Sequence, residues 1–252
     1  MNGIFYFSGT GNSLWLAKKV KESLGGEIRY IPNRNSDISA YDKLIIVCPV
    51  YSFGLPLPVF DFMKELNSDA PLWIVMNYGG AAGKAASFAY NHAKSCGLNI
   101  KNVYTMKMPE NFTAVFSTPL IKPYNKGLLK KAPKAIGKII ASIERNEEKA
   151  FPSDSPEKHK LYNENKSNWG KMGERFSTSS ACTLCGKCVN NCPAENIAIK
   201  DGKVIFGNNC VVCQACYHRC PSKAVQYLGK PNKMPYFNPN VPEKEMGTDI
   251  VS

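Results

Sequence analysis

Two rhythms of apolar residues alternate along the first hundred positions. Residues 3–7, 27–31, 43–48, 71–76 and 99–106 are short runs rich in Ile, Val, Leu, Tyr and Phe, the pattern of strands buried on both faces. Between them, 14–20, 57–66 and 83–96 repeat apolar residues at helical spacing. Five such strands alternating with helices predict an α/β fold, a doubly wound five-stranded parallel sheet. A ligand of such a sheet lies outside the C-terminal ends of its strands.

The rhythm changes further on. Residues 108–112 open a linker, and 126–145 place Leu128, Leu129, Ile136, Ile139, Ile140 and Ile143 among lysines. That is an amphipathic helix able to lie on the flank of the sheet, with a break expected near Pro133. Residues 151–180 are polar, with Trp169 and Phe176 as isolated anchors. Alternation returns over 197–206 around Asp201-Gly202, which reads as a tight hairpin, and 224–227 is its counterpart. The Pro- and Asn-rich tail after Leu228 reads as an irregular strap able to fold back over a bound group. The chain accordingly divides into 1–112, a helical and basic connecting region 113–177, a compact α+β unit 178–228, and a strap 229–252.

The compact unit contains one cysteine pattern twice. Cys182, Cys185, Cys188 and Cys192, then Pro193, recur 28 positions later as Cys210, Cys213, Cys216 and Cys220, then Pro221. Both copies read C-x2-C-x2-C-x3-C-P, and such a duplication implies one bound group per half. Three thiolates two residues apart can grip one face of an iron–sulfur cubane, while the fourth ligand must arrive from elsewhere. Structural zinc prefers two separated Cys-x-x-Cys knuckles around one tetrahedral ion, and disulfides need an oxidising compartment. The spacing resembles that of bacterial two-cluster ferredoxins. By that resemblance Cys182, Cys185, Cys188 and Cys220 hold one [4Fe–4S] cluster, and Cys210, Cys213, Cys216 and Cys192 the other.

The first strand runs into Ser8-Gly9-Thr10-Gly11-Asn12-Ser13 and then a helix. A strand, a loop of glycines and hydroxyls, and a helix N-terminus make a phosphate site from backbone N–H groups and the helix dipole. The loop lacks the Gly-Lys-Ser/Thr ending of a P-loop and the G-x-G-x-x-G of a dinucleotide site. A turn without a ligand is the plainer reading. The hexapeptide resembles the flavodoxin loop that wraps the phosphate of FMN. That likeness implies hydrogen bonds from Ser8, Thr10, Asn12 and Ser13, close approach at Gly9 and Gly11, and strand order 2-1-3-4-5. Two further loops then flank the flavin ring: Pro49, Tyr51, Phe53 and Gly54 after the third strand, and Asn77, Tyr78, Gly79 and Gly80 after the fourth. Tyr51, Phe53 and Tyr78 are the stacking candidates, although each suits an ordinary core aromatic equally well.

Taken together, the chain resembles the flavodoxin–ferredoxin fusion proteins of anaerobic bacteria and archaea, over roughly 1–112 and 178–228. The resemblance implies an electron-transfer protein with two [4Fe–4S] clusters and FMN, coupling one- and two-electron carriers. A flavin-dependent reductase of a small substrate, its flavin refilled by the clusters, is the competing reading. A binding module that has lost its flavin is a third.

Charge alters the expected partners. The formal net charge is +12, which by itself raises nucleic acid or an anionic membrane. Two clusters and a flavin phosphate reduce it to roughly +6, and no nucleic-acid module is recognisable. Residues 122–175 carry thirteen Lys/Arg against seven Asp/Glu, a solvated face or a docking surface for an acidic redox partner of ferredoxin or flavodoxin type. No apolar run reaches membrane-spanning length and no signal peptide is evident, so a cytoplasmic location without integral membrane insertion is expected. A head-to-tail homodimer is a further possibility. Cys48 reads as a small core residue, Cys96 takes no role, and His218, inside the second cysteine run, is expected to face solvent.

Overall fold

The computed structural model describes residues 1–33, 38–113, 121–153 and 159–250. The segments 114–120 and 154–158 of the connecting region therefore lie outside the described residues. Strands β1 (Asn2–Tyr6), β2 (Glu27–Tyr30), β3 (Lys43–Pro49), β4 (Leu72–Tyr78) and β5 (Ile100–Lys107) form one parallel sheet in the order β2-β1-β3-β4-β5. This is the expected doubly wound, flavodoxin-like topology.

Successive side chains of each strand enter opposite layers, which explains why the runs are apolar throughout. Phe5, Phe7, Ile46, Cys48, Ile74 and Met76 pack with α2 (Leu57–Glu65) and α3 (Ala85–Ser95). Ile4, Tyr6, Ile45, Val47, Trp73 and Val75 pack on the other side with α1 (Asn12–Leu24) and α4 (Ile121–Glu144). The break expected near Pro133 does not occur, because α4 runs through it. A proline inside a helix costs roughly 3 kcal/mol. Ala132, Ile136, Ile140 and Ile143 are all buried against the sheet, and each isoleucine recovers about 1.5–3 kcal/mol.

The second unit begins at β6 (Phe176–Thr178), which pairs antiparallel with β9 (Val225–Tyr227), itself paired with β10 (Lys230–Pro231). Strands β7 (Ile197–Lys200) and β8 (Lys203–Phe206) form the expected hairpin. Asp201 and Gly202 at φ 49° and 68° make its turn, the conformation that a two-residue hairpin loop requires. Helix α5 (Lys160–Asn168) packs between the two units: Tyr162, Trp169 and Val212 form a small core that touches Tyr51, Leu57 and Phe88.

The tail is more than a strap. Val241 and Met246 are buried in the core that α1 and α4 share with the sheet. Ile250 and Ile28 exchange backbone hydrogen bonds of 2.7 and 3.0 Å, covering the free edge of β2, a site otherwise open to pairing with another chain.

Candidate functional site

The two cysteine runs follow the same backbone path. Leu184 and Val212 lie at φ 54° and 51°, Gly186 and Gln214 at 72° and 57°, and Glu195 and Lys223 at 50° and 53°. Each pair is 28 residues apart. Left-handed backbone at a residue with a side chain costs on the order of 1 kcal/mol, so its recurrence marks loops whose amides are turned toward a common centre. Gly186 and Gln214 lead into the one-turn helices α6 (Lys187–Asn190) and α7 (Ala215–His218), which carry Cys188 and Cys216.

Backbone N–H groups point at the sulfurs. Asn196 donates to Cys192 Sγ at 3.3 Å and Ala224 to Cys220 Sγ at 3.2 Å, while Val212 donates to Cys210 Sγ at 3.3 Å. Such bonds spread thiolate charge and tune the potential of a bound cluster. Burial pushes the Cys213 thiol up to about 12, against the Ala215 amide, and pushes Cys216 well above its ordinary value. A coordinating metal would deprotonate a thiol at either position outright. At Cys220 burial is outweighed by the Ser222 hydroxyl and the amides of Val225, Ala224 and Ser222, and the thiol stays below its ordinary value.

Cysteines of the two runs influence one another electrostatically. The charges of Cys182 and Cys220 act on Cys188, and that of Cys192 acts on Cys210. Among the described residues, no three His, Cys, Asp or Glu side chains converge where a single ion would sit. Thiolates around a cubane face it from outside and stay apart. The first run is the outer one: Cys185 is exposed, and Cys182 borders an open groove of about 660 Å³ with Leu184, Lys203, Ile205 and Phe206. The second run faces the sheet, where Val211 is buried in the core and Cys213 packs against it.

The glycine loop lies at the C-terminal end of β1, as expected, and all six of its residues are buried. Ser8 Oγ accepts from the Gly11 amide at 3.0 Å, and Ser13 Oγ from Asn77 Nδ2 at 2.6 Å. Thr10 Oγ1 accepts from Asn111 Nδ2, and the Thr10 carbonyl from the Asn238 amide at 2.9 Å. Asn12 donates to the Pro109 carbonyl at 3.0 Å, and its Oδ1 accepts from the Tyr236 hydroxyl at 2.6 Å and Asn238 Nδ2 at 3.1 Å. A β-carbon on Gly9 would overlap the Cys213 carbonyl oxygen, and one on Gly11 would stand 3.2 Å from Asn238 Cβ.

The two loops expected to flank a flavin ring make contacts of their own. Pro49 ends β3, and Tyr51 and Gly54 exchange backbone bonds of 3.0 and 2.9 Å around Ser52 and Phe53, at φ 47° and 66°. Tyr51 meets Phe7 and Trp169 edge-on, with ring centroids 6.4 and 6.2 Å away. Phe53 is 40% exposed and lies over Gly83 rather than beside Tyr51. Asn77 ends up buried against Ser13 and the Cys48 carbonyl, and Tyr78 is half-buried. Gly79 faces Glu110, whose carboxylate accepts the amides of Asn111 and Phe112 at 2.8 and 2.7 Å, and a β-carbon on Gly80 would stand 3.6 Å from Glu110 Oε2.

His218 does not face solvent. It is buried and accepts the Tyr236 amide at Nδ1, at 2.9 Å, while Nε2 lies 2.7 Å from the Asn111 carbonyl. That pairing fixes the neutral tautomer with the proton on Nε2. One imidazole thus ties the second cysteine run, the segment after β5 and the tail together, and Asn111 continues the chain to Thr10. Sequence reasoning missed Glu110, Asn111, Tyr236 and Asn238, because no local pattern marks residues that meet only through the fold.

Residues 181–225 match the 4Fe-4S dicluster domain family. Among curated proteins, none matches the chain. Solved structures similar to the first half include a Megasphaera elsdenii flavodoxin, 20% identical over 45% of this chain and 91% of that one, with TM-score 0.37. A Fusobacterium nucleatum flavodoxin bound to flavin mononucleotide is 14% identical over 58% and 98%, with TM-score 0.41. A WrbA-like flavodoxin from Agrobacterium tumefaciens gives the same identity, coverage and score. At such identities the likeness concerns the fold alone.

The donor set fits two [4Fe–4S] clusters: eight free thiols in two equivalent loops, with amide donors to sulfur. The glycine loop keeps donors that an FMN phosphate would need: the hydroxyls of Ser8, Thr10 and Ser13 each accept one hydrogen bond and still have an O–H to give. The Cys213 carbonyl and Asn238 lie against Gly9 and Gly11 where a β-carbon would be.

Proposed function

We propose that this chain is an electron-transfer protein carrying two [4Fe–4S] clusters on a flavodoxin-like platform. The observation behind the reading is the repeated cysteine path with its amide-to-sulfur bonds at equivalent positions. Cys182, Cys185, Cys188 and Cys220 hold one cluster, and Cys210, Cys213, Cys216 and Cys192 the other. Bound clusters supply one-electron redox chemistry. The chain ligates them, shares their charge with amide donors and buries the second run more deeply than the first. The exposed first run beside its groove is the entry point for a redox partner, and Lys187, Lys200 and Lys203 on this unit suit an acidic one.

FMN enters this proposal through the hexapeptide and the strand order, as the group that would link these one-electron carriers to a two-electron donor or acceptor. Reduction of a small substrate at a flavin, refilled by the clusters, belongs to the same branch. Among the described residues, no helix is long and apolar enough to cross a membrane. Iron, sulfide and metal analysis of anaerobically purified protein tests the central claim. About eight irons and eight labile sulfides per chain, with EPR signals on reduction, are expected. Zinc in place of iron overturns it.

A further inference from the structure

We infer that the second cluster, and not the first, is the electron partner of the flavin site, because the loop Val211–Cys213 abuts the loops expected to hold FMN. The inference rests on the clusters and flavin proposed above, and adds which of the two clusters meets the flavin.

The second run touches two of the loops at the C-terminal ends of the strands. At the glycine loop, the Cys213 carbonyl lies against Gly9. After β3, Val211 is buried in the sheet core on which Tyr51 also packs. Val212 joins Trp169 and Tyr162 in the small core that Tyr51 borders from its other side, and Trp169 meets Tyr51 edge-on with ring centroids 6.2 Å apart. Burial pushes the Tyr51 hydroxyl well above its ordinary value, and the charges of Cys213, Tyr30 and Cys210 add to the shift. Cys192, assigned to the same cluster, is followed by Ala194, which packs on that sheet core too.

The duplication supplies an internal comparison. Leu184 and Val212 stand at equivalent positions, 28 residues apart, yet Leu184 is 42% exposed and Val212 only 8%. Cys185 is exposed, whereas its equivalent Cys213 packs against the sheet core. One loop design thus faces solvent in the first copy and the sheet in the second. Cys182 borders the open groove, and Cys188 and Cys220 pack with Phe176, Val225 and Tyr227 inside the cysteine unit. Electron transfer weakens steeply with separation, so the cluster whose loop abuts the flavin loops is the competent one. A close-packed contact also keeps that separation fixed.

Each transfer removes one electron from the reduced second cluster and adds it to the flavin. Two transfers, with two protons from solvent, complete the reduction, and the electrons enter at the first cluster from a low-potential one-electron donor protein.

The test uses full-length protein purified without oxygen, loaded with FMN, and analysed separately for iron, sulfide and flavin. Cys185→Ser, at an exposed ligand, identifies the EPR signal of the first cluster as the one it alters or removes. Pulsed EPR on partly reduced protein then reads the magnetic coupling between half-reduced FMN and each reduced cluster. The expected result is a dominant coupling to the other cluster, retained in Cys185→Ser. Loss of the coupling in that variant while the second signal persists overturns the inference, as does a dominant coupling to the first cluster in the wild type. Full iron without FMN uptake overturns it together with the flavin branch and leaves the cluster proposal standing. Missing iron defeats the cluster proposal itself.

Discussion

Replacing His218 with phenylalanine isolates the joint between the two units. The ring volume is nearly kept, so no cavity opens, but the Asn111 carbonyl and the Tyr236 amide each lose their imidazole partner, at 2.7 and 2.9 Å. Asn232, 3.3 Å from Nδ1, still donates to the Tyr217 carbonyl at 3.0 Å and is not orphaned. A buried polar group left without a partner costs about 1–3 kcal/mol. Two such groups weaken docking by roughly 3 kcal/mol, or ~150-fold in the opening equilibrium. His218→Gln offers a donor and an acceptor on one planar group and should lose only about 1 kcal/mol. Hydrogen exchange at amides 110–113 and 235–240 of the cluster-loaded protein reads this opening directly, since protection reports local stability. Protection in His218→Phe within threefold of wild type would refute the claim that this imidazole ties the units together.

Other outcomes follow from individual contacts. Cys220→Ser should alter the same EPR signal as Cys185→Ser, and Cys192→Ser the same one as Cys213→Ser; matching within each run instead would reverse the ligand exchange. Tyr162→Phe leaves the buried Leu55 carbonyl without its 2.8 Å donor, so the urea midpoint should fall by an amount equivalent to about 1–2 kcal/mol. His92 stacks on Phe60 with ring centroids 3.8 Å apart, and burial holds its pKa below the ordinary value, with Lys64 and Lys166 adding to the shift and the Phe60 carbonyl opposing it. The unfolded chain then binds the extra proton first, so stability is complete above an unfolded pKa of about 6.5 and declines as pH falls below it. Urea midpoints at neutral and mildly acidic pH should show this decline, and His92→Gln should flatten it.

Local pattern sufficed for the elements and for the dicluster domain. Apolar runs such as 43–48 must be buried on both faces, and a 28-residue repeat of four cysteines specifies its chemistry through spacing alone. The hairpin at Asp201-Gly202 follows from residues that tolerate positive φ. Pro133 was misleading because helix continuity there depends on the buried stripe around Ile136 and Ile140, a tertiary term larger than the local penalty. His218 was misleading for the same reason, since its burial is produced by Asn111 and Tyr236, 107 and 18 residues away. The hexapeptide shows the limit most clearly. Its residue types determine that a close, polar, uncharged contact is made there, but a phosphate and a folded-back polypeptide satisfy the same hydroxyls and glycines. Only the tertiary structure shows which chain segments meet it, because Cys213, Tyr236 and Asn238 come to rest there from more than two hundred residues along the chain.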